Sequence, residues 1–92
     1  MIDGDAGEVD DVLRALLADV LGIAPARVAD FDEGTELFGA LPEFDSMAVA
    51  NLLTAMEERL GILIEDDDVE AEDLMTYGRL TAFAHRKALG AA

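Results

Sequence analysis

The stretch 45–61, DSMAVANLLTAMEERLG, decides the fold class because residues 46–60 contain neither glycine nor proline. This run is rich in good helix formers, and its apolar residues recur at helical spacing. Gly61 supplies a stop signal. We therefore predict a helix over 46–60 with one buried face, formed by Val49, Leu52, Leu53, Met56 and Leu60.

A single serine, Ser46, stands where the preceding loop gives way to this helix, directly after Asp45. Serine is poor in a helix interior but good at a helix start, so capping is one interpretation. The other is that the hydroxyl is displayed for chemistry, because free N–H groups and the helix dipole favour a phosphate there. Asp45 also has two interpretations, as an N-cap or as a group presented to an enzyme and its metal ion. The residues alone leave these alternatives open.

The region before this helix divides into a helical part and a loop. Residues 24–44 include Pro25, Gly34, Gly39 and Pro42 and have no sustained period, so we expect a long first loop with a helical turn around 36–38. Residues 9–23 repeat apolar side chains at the helical period and predict an amphipathic first helix, with inward positions at Val9, Val12, Leu13, Leu16, Leu17, Val20 and Leu21.

The C-terminal third is predicted to hold an extended link over 62–64, an acidic connector over 65–70, a short helix over 71–74 and a last helix ending near Ala88. Thr76 is the expected N-cap of the last helix. Its expected inward side chains are Tyr77, Leu80, Phe83 and Ala84. The predicted fold is all-α, a small four-helix bundle with three main helices, one short helix and a long first loop. We expect one domain over 1–92, with its core at about 8–89 and flexible termini.

The composition limits the possible partners. The 92 residues carry 21 acidic and 6 basic side chains, a formal net charge of −15. This charge argues against binding to nucleic acid or to an anionic membrane and favours partners with basic patches. The chain has no cysteine, no signal-peptide pattern and no apolar run long enough to span a membrane. We expect a cytoplasmic monomer with no membrane insertion.

Neither catalysis nor metal binding is favoured by the remaining motifs. The one histidine, His85, precedes two basic residues and reads as part of a solvated helix end, and no G-x-S-x-G elbow surrounds Ser46. Calcium-loop spacing fails from both Asp30 and Asp66, because neither has glycine sixth and glutamate twelfth. We predict no catalytic residue and no metal site.

Several features together resemble the acyl carrier protein family over about residues 9–87. Asp45-Ser46-Met47 opens a helix that ends in EERLGI at 57–62, Phe38 lies eight residues before the serine, and TYG at 76–78 enters the last helix. The resemblance implies an acyl-carrier-like bundle without catalytic activity of its own. It implies that Ser46 receives 4′-phosphopantetheine from coenzyme A through a phosphopantetheinyl transferase. The thiol of that arm then carries acyl groups as thioesters to partner enzymes.

The same resemblance makes the helix at 46–60 the recognition helix for those enzymes. Its implied partner contacts are Asp45, Met47, Glu57 and Glu58. The implied partners are an acyl-activating ligase, a synthase or an acyltransferase with a basic docking surface. The longer string 37–49, LFGALPEFDSMAV, is similar to stand-alone bacterial carriers encoded with exosortase-linked exopolysaccharide genes. Family cargo can lie between the helices, and candidate liners, which are equally good core residues, are Leu53, Met56, Leu60, Ile62 and Phe83.

Two alternatives to an acyl carrier remain. One is an unmodified acidic helical adaptor, whose Glu57, Glu58 and residues 66–68 dock a basic partner and whose Ser46 is only a helix cap. The other is an aminoacyl or peptidyl carrier. Such carriers share the attachment serine but usually have Gly-Gly before it, where this chain has Glu43-Phe44.

Overall fold

The computed structural model describes residues 6–89, and these form three long helices and two short helical segments. Within this range the only β-type pairing is an isolated antiparallel bridge between Glu36 and Thr76. The predicted all-α fold is confirmed. The expected flexibility of the termini concerns residues 1–5 and 90–92, which lie outside the described residues. The elements in chain order are α1 Ala6–Leu21, α2 Pro25–Ala29, α3 Ser46–Leu60, a 3₁₀ helix at Ala71–Leu74 and α4 Tyr77–Ala88.

One apolar core joins the three long helices, because α1 packs against both α3 and α4. All four inward positions predicted for α4 are buried, and the large ring of Phe83 has no exposed surface. Burying a side chain of this size stabilises the fold by about 1.5–3 kcal/mol. On α3 the fully buried face is centred slightly differently from the prediction, since Val49 and Leu53 are only half-buried. The buried residues of α3 are Ala48, Leu52, Met56 and Leu60.

The first loop differs from the prediction in two places. Residues Pro25–Ala29 form α2, which the helical period missed because five residues are too few to reveal it. Proline suits the first helical position, where its missing N–H is not needed. The helical turn predicted around 36–38 lies slightly later in the chain, since the N–H groups of Ala40 and Leu41 both reach the Leu37 carbonyl oxygen, at 3.0 Å and 2.9 Å. Just before this turn the backbone pairs across the chain, from the N–H of Leu37 to the carbonyl oxygen of Met75 at 2.8 Å and from the N–H of Tyr77 to that of Thr35 at 2.8 Å.

The guanidinium of Arg14 fastens this loop to α1. It donates to the backbone oxygens of Val28 at 2.7 Å and Phe31 at 3.0 Å, and to the carboxylate of Asp10 at 3.0 Å. It also lies over the ring of Tyr77, 4.6 Å from the ring centre. Because the hydroxyl of Tyr77 donates to the other oxygen of Asp10, one polar cluster connects α1, the loop and α4.

The last third of the chain follows the prediction closely, except at one residue. The short segment Ala71–Leu74 is a 3₁₀ helix, and the side chain of Thr76 caps α4 by accepting the N–H of Arg79. His85 was expected on a solvated helix end. Its ring is half-buried, and its Nε2 is shielded from solvent without a partner among the described residues. The burial comes from tertiary packing of α4, which position at a helix end does not reveal.

Candidate functional site

Ser46 is the first residue of α3, and its side chain is exposed. The residue before it, Asp45, is extended, with φ −96° and ψ −176°, and its Oδ1 accepts the N–H of Ala48 at 2.9 Å. Asp45 is therefore the N-cap of α3, one of its two predicted roles. Within residues 6–89 the Ser46 hydroxyl has no hydrogen-bond partner. The interpretation of Ser46 as the helix cap is wrong, because Asp45 is the N-cap of α3.

The backbone around Ser46 leaves hydrogen-bond donors free. The N–H of Val49 reaches the Asp45 carbonyl oxygen at 2.9 Å, but the N–H groups of Ser46 and Met47 have no acceptor in the described part of the chain. Free donors at a helix start, together with the helix dipole, attract a phosphate. The carboxylate of Asp45, next to the serine, is negatively charged and would repel a phosphate, but one of its oxygens already accepts a hydrogen bond from the helix backbone. These residues fit a phosphodiester formed on the Ser46 hydroxyl.

The segment that leads into Ser46 is held on two sides. Arg27 of α2 donates to Glu43 Oε2 at 2.9 Å, three residues before the serine. Its own backbone N–H, and then Arg27, hold the pKa of the Glu43 carboxyl below its usual value. On the other side Phe44 is buried, and its ring meets the edge of Phe38 at 5.9 Å between centres. Sequence patterns did not point to the Arg27–Glu43 ion pair, because the two residues lie in different elements.

The four predicted partner contacts have different surroundings. Met47 is 73% exposed, which is unusual for so large an apolar side chain, and Asp45 and Glu58 also face solvent. Glu57 is half-buried, and its Oε2 accepts the N–H of Ile64 at 2.8 Å. Three of these side chains are thus accessible to a partner, whereas Glu57 fastens the link that follows α3. The partner roles themselves stay predictions.

The candidate cargo liners lie in the core between the helices. Met56 and Phe83 have no exposed surface, Leu60 is nearly as buried, and Leu53 and Ile62 pack half-buried against them. In this conformation these side chains act as core residues, and their contact with cargo stays a prediction.

Residues 6–89 contain no group of three or more histidine, cysteine, aspartate or glutamate side chains placed to hold a metal ion. None of the helices in the same range combines the length and the apolar character needed to cross a bilayer.

Comparison with known proteins places this geometry in a family. The family model described as phosphopantetheine attachment site matches residues 11–85. Among solved structures, the solution NMR structure of a holo acyl carrier protein from Nitrosomonas europaea is similar, with a TM-score of 0.75 and 34% identity. The match covers 86% of this chain and 93% of that one. A search of curated proteins gave no match.

Proposed function

The chain belongs to the phosphopantetheine attachment-site family, and we propose that it carries acyl groups on an arm attached to Ser46. Proteins of this kind are carriers with a covalent 4′-phosphopantetheine group, so the chain is a carrier and not a catalyst. The observation that carries the choice of Ser46 is its exposed, unpartnered hydroxyl beside two free N–H groups at the start of α3. It is also the only serine of the chain.

Each residue around Ser46 has a definite part in this proposal. Asp45 caps α3 and leaves the serine hydroxyl free for the transfer. As the serine oxygen loses its proton and bonds to the phosphorus of the pantetheine phosphate, the pyrophosphate bond of coenzyme A breaks and adenosine 3′,5′-bisphosphate leaves. The free N–H groups of Ser46 and Met47 stabilise the phosphodiester that results. The Arg27–Glu43 ion pair holds the preceding segment in place while the transferase acts. The arm supplies a thiol, which a chain without cysteine otherwise lacks.

A carrier of this family interacts with a phosphopantetheinyl transferase and with enzymes that handle acyl groups. We propose that the acyl-handling partners are a ligase, a synthase or an acyltransferase with a basic docking surface. The net charge of −15 supports this, because opposite charge speeds encounter and rejects wrong partners. Asp45, Met47 and Glu58 are the exposed contacts that we assign to this surface, together with Glu57, which is half-buried and accepts the N–H of Ile64 through one carboxylate oxygen.

Only the sequence patterns bear on the pathway, which is lipid, polyketide or exopolysaccharide synthesis, and on the location. The string at 37–49 favours a role in exopolysaccharide synthesis, and a cytoplasmic location stays a prediction. The adaptor alternative requires Ser46 to be the helix cap, but the cap of α3 is Asp45. An aminoacyl or peptidyl cargo is distinguished from an acyl cargo by which activating enzyme loads the holo protein.

Intact-protein mass spectrometry tests the attachment. The protein is incubated with coenzyme A and a broad-specificity phosphopantetheinyl transferase, beside the variants Ser46→Ala and Thr54→Ala. Thr54 is the matched control, because it is an exposed hydroxyl residue on the same helix. We expect a gain of one phosphopantetheine in the wild type and in Thr54→Ala, and none in folded Ser46→Ala. A gain in Ser46→Ala, or no gain in the wild type beside a working control carrier, would contradict the proposal.

A further inference from the structure

An open groove begins at Ser46 and runs along the segment that precedes it. Its volume is about 420 Å³, and it is lined by residues 38–42 and 44–46, which we call the serine groove. The side chains of Phe38, Leu41, Pro42 and Phe44 give it apolar walls. A neighbouring hollow of about 440 Å³ shares Phe38 and the two residues after it and extends to Met75 and Thr76. The surface beside the serine therefore carries two adjoining hollows.

The backbone of this segment has unused hydrogen-bonding groups. Among the described residues, the N–H of Gly39 has no acceptor, and the carbonyl oxygens of Phe38, Gly39 and Ala40 accept no hydrogen bond. Gly39 has φ +90°, and a Cβ added to it would meet nothing within 4 Å. The segment thus combines apolar walls with free amide groups and open space above the glycine.

We propose that the serine groove holds the phosphopantetheine arm while the arm is not engaged by a partner enzyme. This inference rests on the proposed attachment at Ser46. The arm has an apolar dimethyl portion and two amides, which correspond to the apolar walls and the free backbone groups of the groove. It carries no charge beyond its phosphate, so the net charge of −15 does not repel the rest of the arm.

Tethering makes weak contacts sufficient. A group joined to Ser46 is present beside the groove at an effective concentration in the millimolar range or above. The space between the long helices is a poorer resting place, because Leu52, Met56 and Phe83 are fully buried there and would have to move. The groove is already open at the attachment residue.

The test begins with the holo protein, whose modification is verified by mass, and then observes a ¹³C-labelled arm by NMR. We expect nuclear Overhauser effects between the arm methyl groups and the Phe38 ring. We also expect the amide resonances of Gly39 and Ala40 to shift between unmodified and holo protein. Ala40→Gln fills the groove without backbone strain, because no residue other than glycine has a positive φ within residues 6–89. This variant should lose the methyl contacts.

Ala50→Gln is the matched control, since Ala50 is also an exposed alanine but lies on α3 outside the groove. It should keep the contacts. If Ala40→Gln does not fold, Phe38→Leu replaces it and should lose the ring-induced shift of the arm methyls. Wild-type holo protein whose arm contacts only other residues, or none, would overturn the inference and leave the attachment intact. Failure of the attachment is recognised earlier, as the absence of the mass gain.

Discussion

The starts of α3 and α4 are built on the same cap but differ in what surrounds them. Each helix follows an extended residue whose side-chain oxygen accepts the N–H three positions on. For Asp45 that distance is 2.9 Å, and for Thr76 it is 3.1 Å. This capping bond satisfies one of the donors that every helix start leaves unpaired. By itself it does not distinguish a structural helix start from a binding one.

The N–H groups of the first two residues of each helix distinguish the two helix starts. At α4 the N–H of Tyr77 reaches the Thr35 carbonyl oxygen at 2.8 Å, and that of Gly78 reaches the Glu33 carbonyl oxygen at 3.0 Å. At α3 the corresponding groups, on Ser46 and Met47, have no acceptor within residues 6–89. The first loop thus closes one helix start with its backbone and leaves the other open. A helix start that the fold does not close remains available for a ligand.

Gly78→Ala should disrupt the closed start of α4 and have the largest effect on the free energy of unfolding. A Cβ at this position would lie 2.8 Å from the backbone oxygen of Glu33 and 3.1 Å from its Cα, so the loop must move. We expect a net loss of about 2 kcal/mol in the free energy of unfolding, even though alanine is the better helix former. Urea denaturation measures it. Gly34→Ala is the control, since its Cβ would meet only ordinary contacts, and equal losses in both variants would contradict this account.

Removing either cap should cost less. We expect Asp45→Ala and Thr76→Ala each to lower the free energy of unfolding by about 1 kcal/mol, because each leaves one helix-start N–H unpaired. In a domain of this size that corresponds to a fall in Tm of roughly 4–8 °C. Asp45→Asn keeps an acceptor oxygen and should stay close to the wild type. If Asp45→Ala were as stable as the wild type, Asp45 would not be the cap.

The start of α4 should also make folding stability depend on pH, because its first residue, Tyr77, donates to the carboxylate of Asp10. Burial raises the pKa of Asp10, but hydrogen bonds from Tyr77 and Arg14 outweigh it and hold that pKa below its usual value. Ionised Asp10 therefore stabilises the fold above about pH 4, and this contribution disappears as the pH falls through the lowered pKa. Since Asp10 is partly exposed, we expect less than about 1 kcal/mol. Thermal melts should show Asp10→Asn approaching the wild type below pH 4, and a constant difference would contradict the assignment.

Ser46→Ala should have the smallest effect on stability. The hydroxyl makes no bond among the described residues, and surface changes of this kind stay within about 0.5 kcal/mol. The same denaturation series measures it. A loss as large as that of Asp45→Ala would mean that the serine takes part in capping.

Much of the fold was predictable because its signals are local. The period and the flanking glycine predicted α3 over 46–60, and Thr76 was recognisable as a cap from its position before a helical run. The loop was not predictable in the same way. The bridge between Glu36 and Thr76 joins residues forty positions apart, and the bonds of Arg14 to Val28 and Phe31 connect different elements. Sequence periodicity contains no information on such pairings.

In the candidate site too, local features were predictable from the sequence and tertiary contacts were not. Ser46 was identifiable from the residues around it, but the sequence could not assign the cap to Asp45 rather than to the serine. That assignment needed the 2.9 Å bond to Ala48. The sequence predicts Glu57 as an acidic partner contact, whereas the structure shows that its carboxylate accepts the N–H of Ile64. Which polar group is free and which is occupied depends on tertiary contacts.

Amide hydrogen exchange in the unmodified protein, followed by NMR, tests the contrast between the two helix starts most directly. Exchange reports whether an N–H is bonded and protected by the fold. We expect the amides of Ser46 and Met47 to exchange nearly as fast as in an unstructured chain, and those of Tyr77 and Gly78 to exchange orders of magnitude more slowly. Equal protection at the two helix starts would contradict the claim that the start of α3 is left open.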